Sequence, residues 1–147
     1  MKSNVSLSIV VPIYNEEESL PFLVNQLLDV LKPMEETFEL VLVNDGSSDK
    51  SAEVMRSLSL EVPELVGVLL RKNYGQTAAM AAGFDISCGE IVVTLDGDLQ
   101  NDPADIPLLV NKIRDGFDLV SGWRYRRQDS AISRKIPSKI ANRLIGK

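Results

Sequence analysis

The sequence predicts an α/β fold, with a mostly parallel, doubly wound sheet and helices on both faces. Two observations carry this prediction. Short runs rich in Val, Ile and Leu alternate along the chain with segments of helical periodicity, which is typical of βαβ units. Those runs are continuously apolar, as expected for strands that are buried on both faces of a parallel sheet.

Four helices and five strands are predicted, each from a local signal. The first helix spans Glu17–Leu31, because its leucines recur at intervals of three and four. The second, Asp49–Leu60, follows Ser47-Ser48 as a capping signal. The third, Gln76–Ile86, is rich in alanine, and the fourth, Pro103–Arg114, opens with proline at a first-turn position. The predicted strands are Leu7–Val11, Phe38–Val43, Leu65–Leu70, Ile91–Leu95 and Asp118–Ser121.

The composition excludes several classes of chemistry. The 147 residues are 44% hydrophobic and 25% charged, which is typical of one globular domain. The chain has no histidine and one cysteine, Cys88, so disulfide frameworks, Cys/His zinc sites and histidine triads are excluded. No apolar run approaches the roughly 18 residues that span a bilayer, and we expect a cytoplasmic compartment. Chemistry in this chain must use carboxylates, Arg or Lys, and a hard metal ion.

Positive charge is concentrated at the carboxyl end. Residues 1–123 carry 8 basic and 20 acidic side chains, whereas residues 124–147 carry 8 basic side chains and one acidic side chain. In the second segment an apolar residue recurs every four positions, at Ile132, Ile136, Ile140 and Leu144. We therefore predict a core domain at 1–123, followed at 124–147 by a basic amphipathic helix that faces an anionic membrane surface. A helix packed on its own domain is the alternative.

Polar side chains follow each predicted strand, and in a parallel sheet these ends meet at one edge, where ligands bind. Asp96 and Asp98 lie after the fourth predicted strand, where they flank a glycine and no helical run follows. A capping role therefore explains them less well than it explains Asp102 or Asp49. Two hard oxygen ligands near the amide of Gln100 suit Mg²⁺ or Mn²⁺, which share substrate phosphate oxygens.

Three motifs occur in order, each at the end of a predicted strand: VVPIYNEEESL at residues 10–20, VNDGSSD at 43–49 and TLDGDLQ at 94–100. Together they resemble the nucleotide-sugar-binding half of the inverting glycosyltransferases of family 2, which have the GT-A fold, a Rossmann-like α/β architecture. DGDLQ, with the later SGWRYRR, is most similar to the polyprenyl-phosphate branch, which includes dolichol-phosphate mannosyltransferase and undecaprenyl-phosphate glucosyltransferases. The resemblance covers nearly the whole chain.

The resemblance implies that four residues bind the nucleoside. Pro12, Tyr14 and Glu16 match positions that wrap around it, with Tyr14 placed to stack on the base. Asp45 matches a carboxylate that hydrogen-bonds the base or the ribose. The residues alone leave other interpretations open: Tyr14 as a half-buried aromatic, Glu16 as an acid favouring a helix N-terminus, and Asp45 as a turn former.

The resemblance also implies a metal and phosphate site. Asp96 and Asp98 match the metal–diphosphate motif, in which Asp96 also contacts the nucleotide, and Gln100 matches the additional metal ligand of this branch. Arg124 lies 28 residues beyond Asp96 and matches an arginine that faces the phosphates. Arg134 is expected to be a second. Asp98 and Arg124 are therefore the predicted catalytic residues, and both arginines the predicted contacts of the acceptor phosphate.

The implied reaction is the metal-dependent transfer of a hexose from a nucleotide-sugar, linked to UDP or GDP, to a polyprenyl phosphate, with inversion. UDP-glucose is the first expectation and GDP-mannose the second, with UDP-GlcNAc or an aminoarabinose donor left open. A phosphate with a second pKa of about 6 is already a dianion at neutral pH, so this acceptor needs no strong general base. That suits a chain without histidine.

Two alternatives remain at this point. The first is a catalytically incomplete sugar-nucleotide-binding module, because the chain ends at Lys147 inside a helical pattern and is expected to be a fragment. The whole protein is expected at the cytoplasmic face of the plasma membrane, with homo-oligomerisation left open and no nucleic-acid partner. The second is a phosphotransferase with an Asp nucleophile. It is disfavoured because its aspartates ordinarily follow the first strand, and here they follow the fourth.

Overall fold

The structure is a computed structural model that describes residues 4–122. Four strands are present in this part of the chain: β1 at Leu7–Ile13, β2 at Phe38–Asn44, β3 at Leu65–Leu69 and β4 at Ile91–Thr94. Four α-helices connect and follow them: α1 at Leu20–Leu31, α2 at Ser51–Glu61, α3 at Gln76–Ile86 and α4 at Ile106–Arg114. Two 3₁₀ turns lie at Lys32–Met34 and Pro103–Asp105.

The strands form one parallel sheet in the order β3-β2-β1-β4. Side chains of β1 alternate between the two faces: Ile9 and Val11 pack with α1, α2 and α4, whereas Val10 packs against Ala79 of α3. Both faces of the central strands are therefore covered by helices, and β1 is buried along nearly its whole length. The predicted α/β fold is confirmed.

A buried polar cluster fixes the start of β4 beside β1. The Ser8 hydroxyl donates to Glu39 Oε1 at 2.5 Å, and the backbone N–H of Cys88 donates to the same oxygen at 2.6 Å. The Ser8 oxygen in turn accepts from the N–H of Gly89 at 2.8 Å. These bonds satisfy a buried carboxylate, which would otherwise be costly to desolvate. They hold the α3–β4 connection against the sheet at the end opposite the strand carboxyl ends.

The predicted fifth strand is wrong. Residues Asp118–Ser121 are described and form no strand. Both these residues and β4 line a cleft of about 1220 Å³, so the segment does not pair with the edge of β4. Leu119 is 87% exposed, and the run therefore buries little apolar surface. An apolar composition alone does not supply the neighbouring backbone that a strand requires.

The predicted basic helix at 124–147, with Arg124 and Arg134, lies outside the described residues. Among residues 4–122, no helix is long and apolar enough to cross a membrane.

Candidate functional site

A cleft of about 330 Å³ opens at the carboxyl ends of β1 and β4. The order of strands along the chain reverses here, because β2 and β3 lie on one side of β1 and β4 lies on the other. Such reversal points are the usual ligand sites of open α/β sheets. The residues that line the cleft are Pro12, Ile13, Tyr14, Glu16, Asp45, Asn73, Gly75, Gln76, Asp96, Gly97 and Asp98. Six of the predicted site residues are thus brought together.

The loop after β1 is held by the loop after β2. Asn15 adopts a left-handed backbone conformation with φ 55°, which asparagine tolerates better than most residues. Its side-chain oxygen accepts from the N–H of Ser48 at 2.8 Å, and its own N–H donates to the Ser47 hydroxyl at 3.0 Å. This arrangement leaves the neighbouring Tyr14 side chain 48% exposed at the cleft. An exposed ring in this place can stack on a planar ligand.

Glu16 takes part in a local contact at the cleft. Its carboxylate accepts from the Ser19 hydroxyl at 2.5 Å, and its backbone N–H donates to the Ser51 hydroxyl at 2.9 Å. The Ser19 hydroxyl also lies 3.4 Å from the carbonyl oxygen of Gly97. Glu16 therefore belongs to the contact between the β1 loop and the β4 loop.

Asp45 is almost fully buried, with 3% of its surface exposed. Its two carboxylate oxygens accept from the N–H groups of Tyr74 and Gly75, at 2.7 Å and 2.8 Å. These partners belong to the loop after β3, not to the turn that contains Asp45. The interpretation of Asp45 as a turn former is therefore incomplete. Each carboxylate oxygen retains a further lone pair. Asp45 lines the cleft and fixes the loop that leads into α3.

The acidic loop after β4 packs tightly on the end of β1. A Cβ atom at Gly97 would lie 2.9 Å from Ile13 Cδ1 and 3.1 Å from the carbonyl oxygen of Pro12, so a side chain at this position would displace its neighbours. Asp98 is exposed, and its Oδ1 accepts from the N–H of Gln100 at 3.1 Å. Gln100 lines the larger cleft beside β4 rather than the smaller one. Its role as a metal ligand remains a prediction.

Gln76 is a site residue that the sequence analysis missed. It is the first residue of α3, and its Nε2 donates to Asp96 Oδ1 at 2.7 Å. Asn101 Nδ2 lies 3.4 Å from the other oxygen of Asp96. Only its position in the fold indicates that Gln76 belongs to the site, because it begins the helix after β3, at the edge of the sheet where the other site residues gather. Nothing in the local sequence reveals the contact across 20 residues.

The residues at the cleft fit a hard divalent cation. Asp96 and Asp98 supply carboxylate oxygens from one loop, and both line the cleft. Within residues 4–122, no cluster of three or more acidic, histidine or cysteine side chains could hold a metal ion. Two protein carboxylates leave the other coordination positions to water and phosphate oxygens, which is how Mg²⁺ is ordinarily bound at phosphate sites.

Asp49 stabilises the loops around the site without lining the cleft. Its Oδ1 accepts from the N–H of Ser51 at 2.9 Å, and its Oδ2 accepts from the N–H of Glu17 at 3.1 Å. Burial alone would raise the pKa of Asp49, but hydrogen bonds from the Ser51 side chain and backbone and from the Glu17 N–H outweigh it and hold this pKa below its ordinary value. Asp49 thus forms the turn that leads into α2, which begins at Ser51 with Lys50 at its N-cap, so neither Asp49 nor the predicted Ser47-Ser48 is the cap.

A sequence model described as "Glycosyl transferase family 2" matches residues 8–146. This chain belongs to glycosyl transferase family 2. The family expected from the three motifs is confirmed. The undecaprenyl-phosphate 4-deoxy-4-formamido-L-arabinose transferase of Photorhabdus laumondii is 49% identical over 143 residues, which are 96% of this family 2 chain and 43% of the relative. The chain therefore spans less than half the length of the curated relatives it matches.

Solved structures have the same fold. The mannosyltransferase PcManGT from Pyrobaculum calidifontis, in complex with GDP-Man and Mn²⁺, aligns with a TM-score of 0.67 and 23% identity, over 78% of this chain and 34% of its own. Glucosyl-3-phosphoglycerate synthase from Mycobacterium tuberculosis, with Mn²⁺, UDP and phosphoglyceric acid, aligns with a TM-score of 0.60 and 21% identity, over 76% of this chain and 40% of its own. The predicted GT-A fold of this family 2 chain is confirmed.

Proposed function

We propose that this chain is the nucleotide-sugar-binding part of a transferase that passes a sugar from a nucleoside diphosphate to a polyprenyl phosphate. One observation carries the proposal: the cleft at the switch point of the sheet gathers six residues that the family resemblance assigns to the nucleotide and the metal. They come from the end of β1 and the loop after it, from the loop after β2 and from the loop after β4, and they are Pro12, Tyr14, Glu16, Asp45, Asp96 and Asp98.

The nucleoside would lie between the loops that follow β1 and β2. The exposed Tyr14 ring offers a face on which a base can stack, a contact that contributes roughly 1–3 kcal/mol per base in nucleic-acid-binding proteins. The buried Asp45 carboxylate is fixed by two backbone N–H groups and accepts a further hydrogen bond from the base or the ribose. Pro12 lies one residue before the end of β1 and lines the same cleft.

The diphosphate would lie over the loop after β4. Asp96, Asp98 and Gln100 would hold Mg²⁺ or Mn²⁺, a proposal that the Mn²⁺ of two structural neighbours supports. When bound, this ion supplies positive charge that offsets the charge developing on the leaving diphosphate. Asp98 is exposed at the cleft and free of packing against the core, which suits a ligand that the substrate reaches from solvent.

The acceptor proposal comes from the relatives, which are named as undecaprenyl-phosphate transferases. In the proposed reaction an acceptor phosphate oxygen bonds to the anomeric carbon while the bond from that carbon to the diphosphate oxygen breaks, which inverts the configuration. The acceptor enters as a dianion and gives up no proton. Arg124 and Arg134 would bind its phosphate, since a guanidinium makes paired bonds to phosphate oxygens. The reaction would occur at the cytoplasmic face of the membrane.

The donor sugar is proposed to be a 4-deoxy-4-formamido-L-arabinose, because relatives 46% to 49% identical carry that sugar in their names. Glucose, the first expectation from the sequence, and mannose, the second, are therefore less favoured as donor sugars in this proposal. Of the two structural neighbours described above, one contains UDP and the other GDP-Man, so the identity of the base should be tested first.

A second candidate is a sugar-nucleotide-binding module that turns nothing over. The chain covers 43% of its relative from Photorhabdus laumondii, so the transfer named for that whole relative does not by itself predict transfer by this chain. Binding and transfer must therefore be measured separately.

The test is calorimetry of this chain with UDP and GDP, with and without Mn²⁺, followed by transfer assays with undecaprenyl phosphate. We expect Mn²⁺ to strengthen the binding of one nucleoside diphosphate, and Asp98→Asn to remove that strengthening. Asp102→Asn is the matched control: Asp102 caps a 3₁₀ turn by accepting from the N–H of Ala104 at 2.9 Å, and asparagine caps as well as aspartate.

Unchanged Mn²⁺ dependence in Asp98→Asn would contradict the metal assignment, and failure of both nucleotides to bind would contradict the proposed function. Metal-dependent binding without transfer would favour the module.

A further inference from the structure

Residues 74–76 connect two of the acidic side chains of the cleft, Asp45 and Asp96. The backbone N–H groups of Tyr74 and Gly75 donate to the two oxygens of Asp45, at 2.7 Å and 2.8 Å. The next residue, Gln76, donates through its side chain to Asp96 Oδ1 at 2.7 Å. Three consecutive residues therefore tie the carboxylate on the nucleoside side to the carboxylate on the metal side.

The backbone conformation of residues 74–76 allows the contacts with Asp45 and Asp96 to form together. Gly75 has φ 97° and ψ 158°, a conformation that is open to glycine and strained for residues with a side chain. Gly75 immediately precedes α3, and its carbonyl oxygen accepts from the N–H of Ala79 at 3.1 Å. The conformation of Gly75 therefore lets the N–H groups of Tyr74 and Gly75 reach Asp45 while α3 begins with Gln76 beside Asp96.

We propose that Gln76 is a positioning residue for the divalent metal, which orients the Asp96 carboxylate through its side-chain amide. This inference rests on the proposed function. The amide donates to Oδ1 and so restricts the rotation of the carboxylate that the proposed function places against the cation. Partners that orient a metal ligand in this way ordinarily change metal affinity by about 10- to 100-fold when they are removed.

The geometry requires the full length of the glutamine side chain. Gln76 lies at the first turn of α3 and is exposed, so its side chain has no packing role in the core. Gln76→Met keeps the length and removes the donor, whereas Gln76→Asn keeps the amide and shortens its reach by one methylene. Both variants should lose the bond to Asp96, and they should behave alike.

The experiment measures Mn²⁺ affinity in the presence of saturating UDP, or GDP if that is the nucleotide bound, together with the electron paramagnetic resonance spectrum of the bound ion. We expect Gln76→Met and Gln76→Asn each to weaken Mn²⁺ binding by about tenfold, at the lower end of the range for such partners because the site is open to water. The spectrum should broaden as the carboxylate loses its fixed orientation. Binding of the nucleoside monophosphate without metal should be unchanged.

Thr77→Ala is the matched control, since Thr77 is the next residue of α3 and is also exposed. It should leave Mn²⁺ affinity and the spectrum unchanged, and all three variants should unfold at the wild-type temperature. Wild-type Mn²⁺ affinity in Gln76→Met, or in Gln76→Asn, would overturn the positioning role while the proposed function stands. A wild-type chain that binds nucleotide but no Mn²⁺ would overturn the metal part of that function and the role of Gln76 together.

Discussion

Asp45 directly follows β2 and Asp96 lies two residues beyond the end of β4, yet the two carboxylates have different surroundings. Asp45 is 3% exposed, and backbone N–H groups occupy both its oxygens. Asp96 is partly exposed, and the side-chain amides of Gln76 and Asn101 are among its hydrogen-bond partners. Asp45 is thus held by backbone donors in a buried place, whereas the Gln76 amide orients Asp96 in a place that solvent reaches. Asp45 therefore suits a fixed contact, and Asp96 suits a ligand that must accommodate a cation.

The first prediction concerns Asp45→Asn. In this variant an amide NH₂ replaces one of the two carboxylate oxygens that accept from backbone N–H groups. One of those N–H donors loses its acceptor, so the free energy of unfolding should fall by about 1–3 kcal/mol. Binding of UDP should weaken much more than binding of inorganic diphosphate, because the proposed contact is with the nucleoside. Urea unfolding and calorimetry with both ligands check this. Equal losses for the two ligands would mean that Asp45 acts only on the loop.

At the scale of elements, the first two loops of the site form one hydrogen-bonded unit. The N–H of Lys50 donates to Glu17 Oε2 at 2.8 Å, and the N–H of Glu17 donates to Asp49 Oδ2 at 3.1 Å. These reciprocal bonds explain why α1 begins at Leu20 rather than at the predicted Glu17, since the backbone before it is engaged with the other loop. The loops that carry Tyr14 and Asp45 are therefore held together without any ligand.

The second prediction concerns the pH dependence of this unit. The pKa of Asp49 is lowered in the folded chain. Its contribution to stability is therefore complete above the unfolded pKa of about 3.9 and is lost as the pH falls through the lower folded pKa. The free energy of unfolding of the wild type minus that of Asp49→Asn should be largest above about pH 4 and should shrink in more acidic solution. Urea unfolding across this range measures the difference, and a constant difference would contradict the assignment.

The elements differ in how far the sequence determines them. The Ala-rich helix was predicted at the bounds observed for α3, Gln76–Ile86, because its start and end are marked by Gly75 and by a change in composition. The strand expected at Asp118–Ser121 was wrong, because pairing depends on a neighbour that the local sequence does not describe. The bond from Gln76 to Asp96 escaped prediction for the same reason, since it depends on where two loops meet in space.

At the scale of the whole molecule, charge is divided between the core and the carboxyl end. Residues 1–123 carry 20 acidic against 8 basic side chains, and residues 124–147 carry 8 basic against one acidic. The acidic part includes the cleft, and the basic part is the predicted membrane-facing segment.

The third prediction concerns that segment. Each Lys or Arg near an anionic leaflet contributes about 1 kcal/mol, screened by salt. The chain should therefore sediment with anionic vesicles at low ionic strength and much less with neutral ones. Replacing Lys135, Lys139 and Arg143 together by Gln should remove most of the difference and leave UDP binding unchanged, since none of the three is a proposed ligand.

The matched control replaces three exposed basic residues of the core, Lys32, Lys50 and Arg56, by Gln, which changes the net charge by the same amount. It should leave vesicle binding unchanged. If neutral and anionic vesicles bind equally well, the segment does not recognise a charged surface and the membrane-facing interpretation is wrong.

The position of β4 at the side of the sheet gives its backbone amides two different rates of hydrogen–deuterium exchange. The N–H groups of Ile91 and Leu95 donate to the carbonyl oxygens of Ser6 and Val10, at 3.0 Å and 3.1 Å. Because alternate N–H groups of a strand point to opposite sides, those of Val92 and Thr94 face the outer edge, where no described strand pairs. These two amides should exchange early and their neighbours late. Any backbone that adds to this edge would slow exchange at Val92 and Thr94 alone.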